Sequence, residues 1–250
     1  MEQIRWLLPV RPGDALSGRV ICLGSTMSSP RPGLGVVTFA CEALNGRGER
    51  VMSWIAHCAF GRGGRDDRPA AAAPSRARTS AVVRNPGEHG LKYFEDIRLG
   101  DEIAIGQSRF CPDEISAFSR DYDPRSAHPK GSGRACASGW HVTAVWMKTL
   151  VRYYVREAQK LRARGQTVPQ LGPSPGMRHL RWLNPVHAGD VLTFRTWAER
   201  KIDLPAWRDW GLLIGGSEVT NQHGDTVVSF YAQLLLERRN RARGAALSEA

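Results

Sequence analysis

An aspartate and a histidine lie five positions apart in the segment 123–128, which reads Asp-Pro-Arg-Ser-Ala-His. A carboxylate and an imidazole on one short loop can share a water molecule, so Asp123 and His128 could together move its proton. Pro124 stiffens the turn between them because its ring fixes φ. The same spacing also fits a capping aspartate and a surface histidine. We expect the neighbouring Asp121 to cap a helix or to face solvent.

The residues after this loop predict the start of a long helix, from Ala137 to about Arg164. Six side chains recur there at helical spacing on one face: Val142, Val145, Trp146, Thr149, Leu150 and Tyr153. Backbone N–H groups at a helix start are ready donors to an oxyanion. Gly139, which has no Cβ, would let a ligand approach this end closely.

The elements around this helix predict an α+β protein. A strand is expected near 102–110, and Pro112-Asp113-Glu114 opens a short helix through Phe118, since proline and acidic residues suit a first helical turn. Antiparallel strands follow the long helix. A long helix followed by such a sheet is expected to be buried against it.

An internal repeat organises the chain. Residues 4–14, IRWLLPVRPGD, match residues 180–190, LRWLNPVHAGD, at seven of eleven positions and at a constant offset of 176. The same register continues without a gap for more than fifty residues, which indicates a duplicated unit. Each copy predicts three strands joined by Gly-containing turns, over 15–23, 35–44 and 50–60 and over 191–199, 211–220 and 226–236. About ninety residues that precede the second copy have no counterpart in the first.

These patterns predict four segments: a strands-only unit at 1–60, an Arg/Ala/Pro/Gly-rich linker at 61–90, a complete unit at 91–238 and a basic tail at 239–250. The net charge of +11 lies in three stretches, 61–84, 148–164 and 237–250. No aromatic residues interleave with the arginines of the linker or the tail, so we expect solvated basic segments rather than a nucleic-acid partner. A third interpretation is that these basic residues surround the entrance of a binding site for an anionic small molecule.

Four motifs in order resemble the MaoC-like dehydratases, a family that includes the (R)-specific enoyl-CoA hydratases. They are the Tyr93-Phe94-Glu95-Asp96-Ile97 segment with Gly100-Asp101, the Asp123…His128 loop, the Ala137-Ser138-Gly139-Trp140-His141 helix start, and the Asn184-Pro185-Val186…Gly189-Asp190 turn. The resemblance covers 91–237, and the first copy matches only the sheet part. It implies a hot-dog fold, in which a curved antiparallel sheet wraps a long central helix, with an incomplete N-terminal second copy.

The resemblance also implies a reaction and its residues. The reaction is reversible hydration of 2-enoyl-CoA to (R)-3-hydroxyacyl-CoA. Asp123 and His128 would be the catalytic pair on one water, while Gly139 and Ser138 would bind the thioester oxygen. Met147 stands near the helix position where (R)-hydratases carry a supporting serine. No metal or other cofactor is implied, and the acyl group would arrive on CoA or on an acyl carrier protein.

Two alternatives remain: a hydratase of short branched or dicarboxylic acyl-CoA, and a non-catalytic hot-dog subunit that binds a thioester or completes a heterodimer. We expect His141 to have a packing or supporting role. The other histidines show no metal-binding spacing, and the five cysteines predict reduced, mostly buried thiols.

No apolar run is long enough to span a bilayer, and no signal peptide is visible. We therefore expect a cytoplasmic protein, a homodimer without a membrane or nucleic-acid partner.

Overall fold

The structure is a computed structural model, and it describes residues 1–27, 34–61, 82–124 and 135–239. The strands are β1 (Glu2–Trp6), β2 (Ser17–Met27), β3 (Leu34–Leu44), β4 (Arg50–Gly61), β5 (Asn85–Pro86), β6 (Asp101–Arg109), β7 (Gly176–Trp182), β8 (Val191–Asp203), β9 (Trp210–Thr220) and β10 (Thr226–Glu237). The helices are α1 (Pro112–Tyr122) and α2 (Gly139–Ala163), with a single 3-10 turn at Phe94–Asp96. The predicted strands and helices are confirmed, with ends that shift by a few residues.

The described residues form two compact units. The first comprises the residues up to 61 together with 174–181, and its strands are ordered β2–β3–β4–β1–β7, all antiparallel. The sequence predicts that residues 174–181 belong to the C-terminal unit at 91–238. These residues group with the first unit because β7 pairs with β1, Ile4 lying opposite Met177. Within its described residues this unit has strands and turns but no helix.

The second unit comprises the remaining described residues, 82–173 and 182–239. Its sheet runs β10–β9–β8–β6–β5, antiparallel except for the short β5. The long helix α2 packs on this sheet, and the indole of Trp146 meets the ring of Phe230 edge-on at 4.6 Å. A long helix buried against an antiparallel sheet is the α+β arrangement that the sequence predicts.

The ends and the buried face of α2 follow from its sequence. Ser138 caps its first turn, and Gly165, with φ of +67°, follows its last residues in a left-handed conformation that glycine adopts readily. Four predicted face residues are fully buried, namely Val142, Trp146, Leu150 and Tyr153. The helix starts two residues later than predicted, because Ser138 is its N-cap and has an extended backbone, with ψ of 141°.

The repeat seen in the sequence recurs in the hydrogen bonds. Asn45 accepts from the N–H groups of residues 47 and 49, and Asn221 accepts in the same way from those of 223 and 225. The carboxylate of Asp14 accepts from the Arg11 N–H at 2.8 Å, and that of Asp190 from the His187 N–H at 2.8 Å. Equivalent turns are therefore closed by equivalent bonds.

Two further segments bear on the predicted boundaries. Most of the predicted linker and all but the first residue of the predicted tail lie outside the described residues. Within the described part of the linker, the Arg84 guanidinium stacks on the Trp197 ring at 3.6 Å and pairs with Glu102 and Glu218. No helix in the described ranges combines the length and the apolarity needed to cross a membrane.

Candidate functional site

The predicted catalytic aspartate stands at the end of the short helix α1. Pro112 opens this helix, with Asp113 and Glu114 in its first turn. The helix ends at Asp123, whose N–H donates to the Ser119 carbonyl at 3.1 Å while its backbone leaves the helical region. The Asp123 side chain is half-buried. The end of α1 therefore fixes where this carboxylate lies.

Ser138 joins that carboxylate to the start of α2. Its hydroxyl donates to Asp123 Oδ2 at 2.7 Å and accepts from the Trp140 N–H at 3.3 Å. Ser138 is 96% buried, so both bonds form away from bulk water. One side chain thus caps α2 and holds a carboxylate fifteen positions earlier in the chain. The motif resemblance predicts Ser138 beside the substrate oxygen, and its contact with Asp123 is a finding of the structure.

Gly139 is the first residue of α2, and the Trp182 indole lies against it. A Cβ built on Gly139 would stand 2.5 Å from three atoms of that ring. The indole N–H donates to Thr143 Oγ1 at 3.3 Å, and the Thr143 hydroxyl donates to the Gly139 carbonyl at 2.9 Å. Packing by Trp182 thus accounts for glycine at this position. The proposed role of the Gly139 N–H toward a thioester oxygen stays a prediction.

His141 is buried on the first turn of α2, where it contacts α1. Its imidazole stacks on Phe118 at 4.6 Å and lies 5.1 Å from Phe110. Burial lowers the pKa of His141, so a neutral ring is favoured. The packing role expected for this residue is confirmed. Because Phe118 belongs to the helix that ends at Asp123, the stack also helps to fix that helix.

Three further residues named in the sequence analysis are His128, Asp121 and Met147. His128 lies outside the described residues, so its place beside Asp123 stays a prediction. Asp121 is exposed and pairs with Arg120 at 2.9 Å, which confirms that it faces solvent. Met147 lies on an exposed face of α2.

An apolar cavity of about 100 Å³ lies between the middle of α2 and the sheet. Its lining includes Trp146, Leu150, Tyr153, Leu213, Leu234 and Leu236. The polar side chains of Glu88, Lys92 and Asp101 also line it, and Lys92 pairs with Asp101 at 3.3 Å. Asp123, Ser138 and Gly139 are not among its lining residues. The cavity and the predicted catalytic groups are therefore two separate features of the second unit.

The described residues hold no group of three or more histidine, cysteine, aspartate or glutamate side chains placed to bind a metal ion. All five cysteines are free. The expectation that they would be mostly buried is wrong, since Cys41 alone among them is fully buried while Cys22 and Cys111 are exposed. Cys111 is the N-cap residue of α1.

No family model matches the sequence, and no curated protein matches it. Solved structures do match. A MaoC domain protein dehydratase from Chloroflexus aurantiacus superposes with a TM-score of 0.67 at 18% identity, over 95% of this chain and 74% of that one. A Mycobacterium tuberculosis protein described as a double hot-dog fold gives 0.61 at 19% identity, over 94% and 73%. A MaoC-like dehydratase from Phytophthora capsici gives 0.52 at 14% identity, over 92% and 68%.

These matches identify the fold. The chain has a hot-dog fold, as its motifs predict, and each superposition extends over both of its units. The fold is the one found in MaoC-like dehydratases, so the predicted resemblance to that family is confirmed at the level of the fold.

Proposed function

We propose that this chain is a hydro-lyase of the MaoC-like kind, which interconverts a 2-enoyl thioester and the corresponding (R)-3-hydroxyacyl thioester. The observation that supports this most is the 2.7 Å hydrogen bond from the Ser138 hydroxyl to Asp123 Oδ2. It brings together two of the four motifs behind the resemblance, although they are separate in the sequence. A carboxylate beside a helix N-terminus is an arrangement suited to activating water next to a developing oxyanion.

In the hydration direction, Asp123 acts as the base. It takes a proton from a water molecule while the water oxygen bonds to C3 of the enoyl group. The C2–C3 π electrons move toward the thioester, and negative charge develops on its oxygen. The hydrogen bond from the Ser138 hydroxyl to Asp123 Oδ2 holds the carboxylate beside the start of α2. The proton that Asp123 removed then passes to C2, and we assign this transfer to His128. The addition of water is then complete, with OH on C3 and H on C2, and Asp123 is a carboxylate again.

The N–H groups at the start of α2 are the proposed donors to the thioester oxygen. The Trp140 N–H is engaged by Ser138, which makes the Gly139 N–H our candidate. Its glycine is already required by the Trp182 contact, so a bulky residue at 139 would damage packing as well as binding. Substitution of Gly139 is therefore a poor test of the oxyanion site.

The proposed substrate class rests on the motifs behind the resemblance, since neither Asp123 nor Ser138 lines the apolar cavity beside α2. We propose CoA or an acyl carrier protein as the carrier, with no metal or other cofactor taking part. We also propose that the protein works in the cytosol, where its five free thiols would stay reduced.

Hydration of crotonyl-CoA and longer 2-enoyl-CoAs, followed by the loss of enoyl absorbance, tests this proposal. Asp123→Asn keeps the shape of the side chain but removes the base. We expect it to lower kcat about 10²–10⁴-fold, the usual contribution of a general base. Asp121→Asn is the matched control, because Asp121 is exposed and should leave the rate near wild type.

Circular dichroism of both variants would verify that the fold is intact. A wild-type rate for folded Asp123→Asn would remove Asp123 from the catalytic group. Binding of enoyl-CoA by the wild-type chain without any turnover would instead support the alternative, a thioester-binding subunit.

A further inference from the structure

Strand β2 forms an open edge in the first unit. It is the terminal strand of that sheet, and no strand among the described residues pairs with its outer side. All eleven residues of β2 are exposed, including Val20 at 65% and Leu23 at 58%. An unpaired edge presents free backbone N–H and C=O groups, which can add a further strand.

The repeat indicates how much of this edge can be paired. The counterpart of β2 is β8, whose outer side is covered by β6 from Val191 to Trp197. Beyond that stretch β8 changes register against β9, between Ala198 and Arg200. Strand β2 changes register against β3 at the equivalent point, between Cys22 and Gly24. A bulge bends its strand and interrupts pairing, so the pairable segment corresponds to residues 15–21, of which 17–21 lie in β2.

This segment lacks the features that keep edges unpaired. It reads Ala-Leu-Ser-Gly-Arg-Val-Ile, with no proline and one charge. That charge, on Arg19, is paired with Glu42 of the neighbouring strand, with Nε 2.7 Å from Oε2. Protected edges in natural sheets commonly carry lysine, proline or inward-pointing charges. Residues 15–21 therefore form an edge suited to pairing.

We propose that the occupant of this edge is residues 15–21 of a second copy of the chain, paired antiparallel. A two-fold axis must map the segment onto itself, so Gly18 lies opposite Gly18 of the partner subunit. The register then sets Leu16 against the partner's Val20, and Ser17 against the partner's Arg19. Apolar residues face apolar residues, and no two like charges are opposed, which is favourable for cross-strand pairs.

In the second unit the edge of β6 that faces β8 is paired along seven residues, so a second copy cannot offer that edge to β2. The opposite edge of β6 pairs with β5 at Asp101 and Glu102. The outer edge of β2 is unpaired among the described residues. An interface built on one short strand pair is small, so the association should be weak and concentration-dependent.

Sedimentation velocity of the full chain, from low micromolar to several hundred micromolar, tests the proposal. We expect a monomer–dimer equilibrium, and Val20→Lys should weaken it about tenfold because each dimer loses two apolar pairs. Val83→Lys is the control, since Val83 is 78% exposed and lies in the second unit. The readout does not depend on activity, so it separates this proposal from the proposed reaction.

A disulfide trap tests the register. Gly18→Cys is sterically permitted, because a Cβ at Gly18 has no neighbour within 4 Å. In a background with Cys22 and Cys111 changed to serine, mild oxidation should link two copies through residue 18. Gly46→Cys, equally open but in a turn, is the control. A monomer at all concentrations, wild-type association of Val20→Lys, or cross-linking no greater than that of Gly46→Cys would each overturn the proposal.

Discussion

The two copies of the repeat use the same residues in different surroundings. Leu16 is 51% exposed, whereas its counterpart Leu192 is fully buried, and Val10 is 51% exposed where Val186 is 2%. Leu192 lies opposite Ser108 of β6, a strand that the first copy lacks. The strand pattern is thus nearly the same in both copies, and the neighbouring elements decide which apolar residues enter a core.

At positions 18 and 194 the two copies differ in residue type as well as in burial. The buried Phe194 of β8 corresponds to Gly18 of β2, so the first copy carries no large side chain where the second has a core residue. Val51 and Val227, by contrast, are buried in both copies. In each copy the valine carbonyl accepts a backbone N–H at 2.8 Å, from Leu7 and from Leu183 respectively. The inner strands are preserved and the outer strand has diverged.

The largest expected difference between the copies concerns Leu192 and Leu16. Leu192→Ala should lower the free energy of unfolding by about 2–5 kcal/mol, because it opens a cavity in a packed core. Leu16→Ala should change it by no more than about 0.5 kcal/mol. Urea unfolding at low protein concentration, where the chain is monomeric, measures both. Equal losses would mean that the outer strands are equally buried in solution.

The turns should respond alike. Asn221→Ala and Asn45→Ala each remove an acceptor for two backbone N–H groups in an exposed turn. We expect each to cost about 1 kcal/mol, with closely similar shifts of the urea midpoint. Asn→Ser at either position, which keeps a weaker acceptor oxygen without adding a charge beside Glu49 or Asp225, is the control and should retain part of the stability. A much larger loss at one of the two turns would contradict their equivalence.

The smallest expected effect is a pH dependence confined to the second copy. Burial lowers the pKa of His141 below its ordinary value of 6.5. Below that value the unfolded chain binds the proton more readily than the folded chain, so stability should fall as the pH drops through and below about 6.5. His141→Phe keeps a ring against Phe118 without a titrating group, and should flatten the dependence of Tm on pH in this range. An unchanged dependence would assign it to other groups.

Local patterns were enough to predict the helices, the strands and the repeat. Helical spacing gave the buried face of α2, and the duplicated Asn-x-x-Gly motif gave two turns that close in the same way. The contact of Ser138 with Asp123 and the packing of Trp182 on Gly139 could not be read in this way. Each joins groups far apart in the sequence, and neither partner shows a periodicity that points to the other.

The hydroxyl of Ser138 makes the first turn of α2 and the position of Asp123 a single cooperative element. Helix ends fray, and local opening costs less free energy than global unfolding. When this turn opens, the bond to the Trp140 N–H and the bond to the Asp123 carboxylate are lost together. On warming, the proposed catalytic carboxylate would therefore lose its orientation while the sheet behind it is still folded.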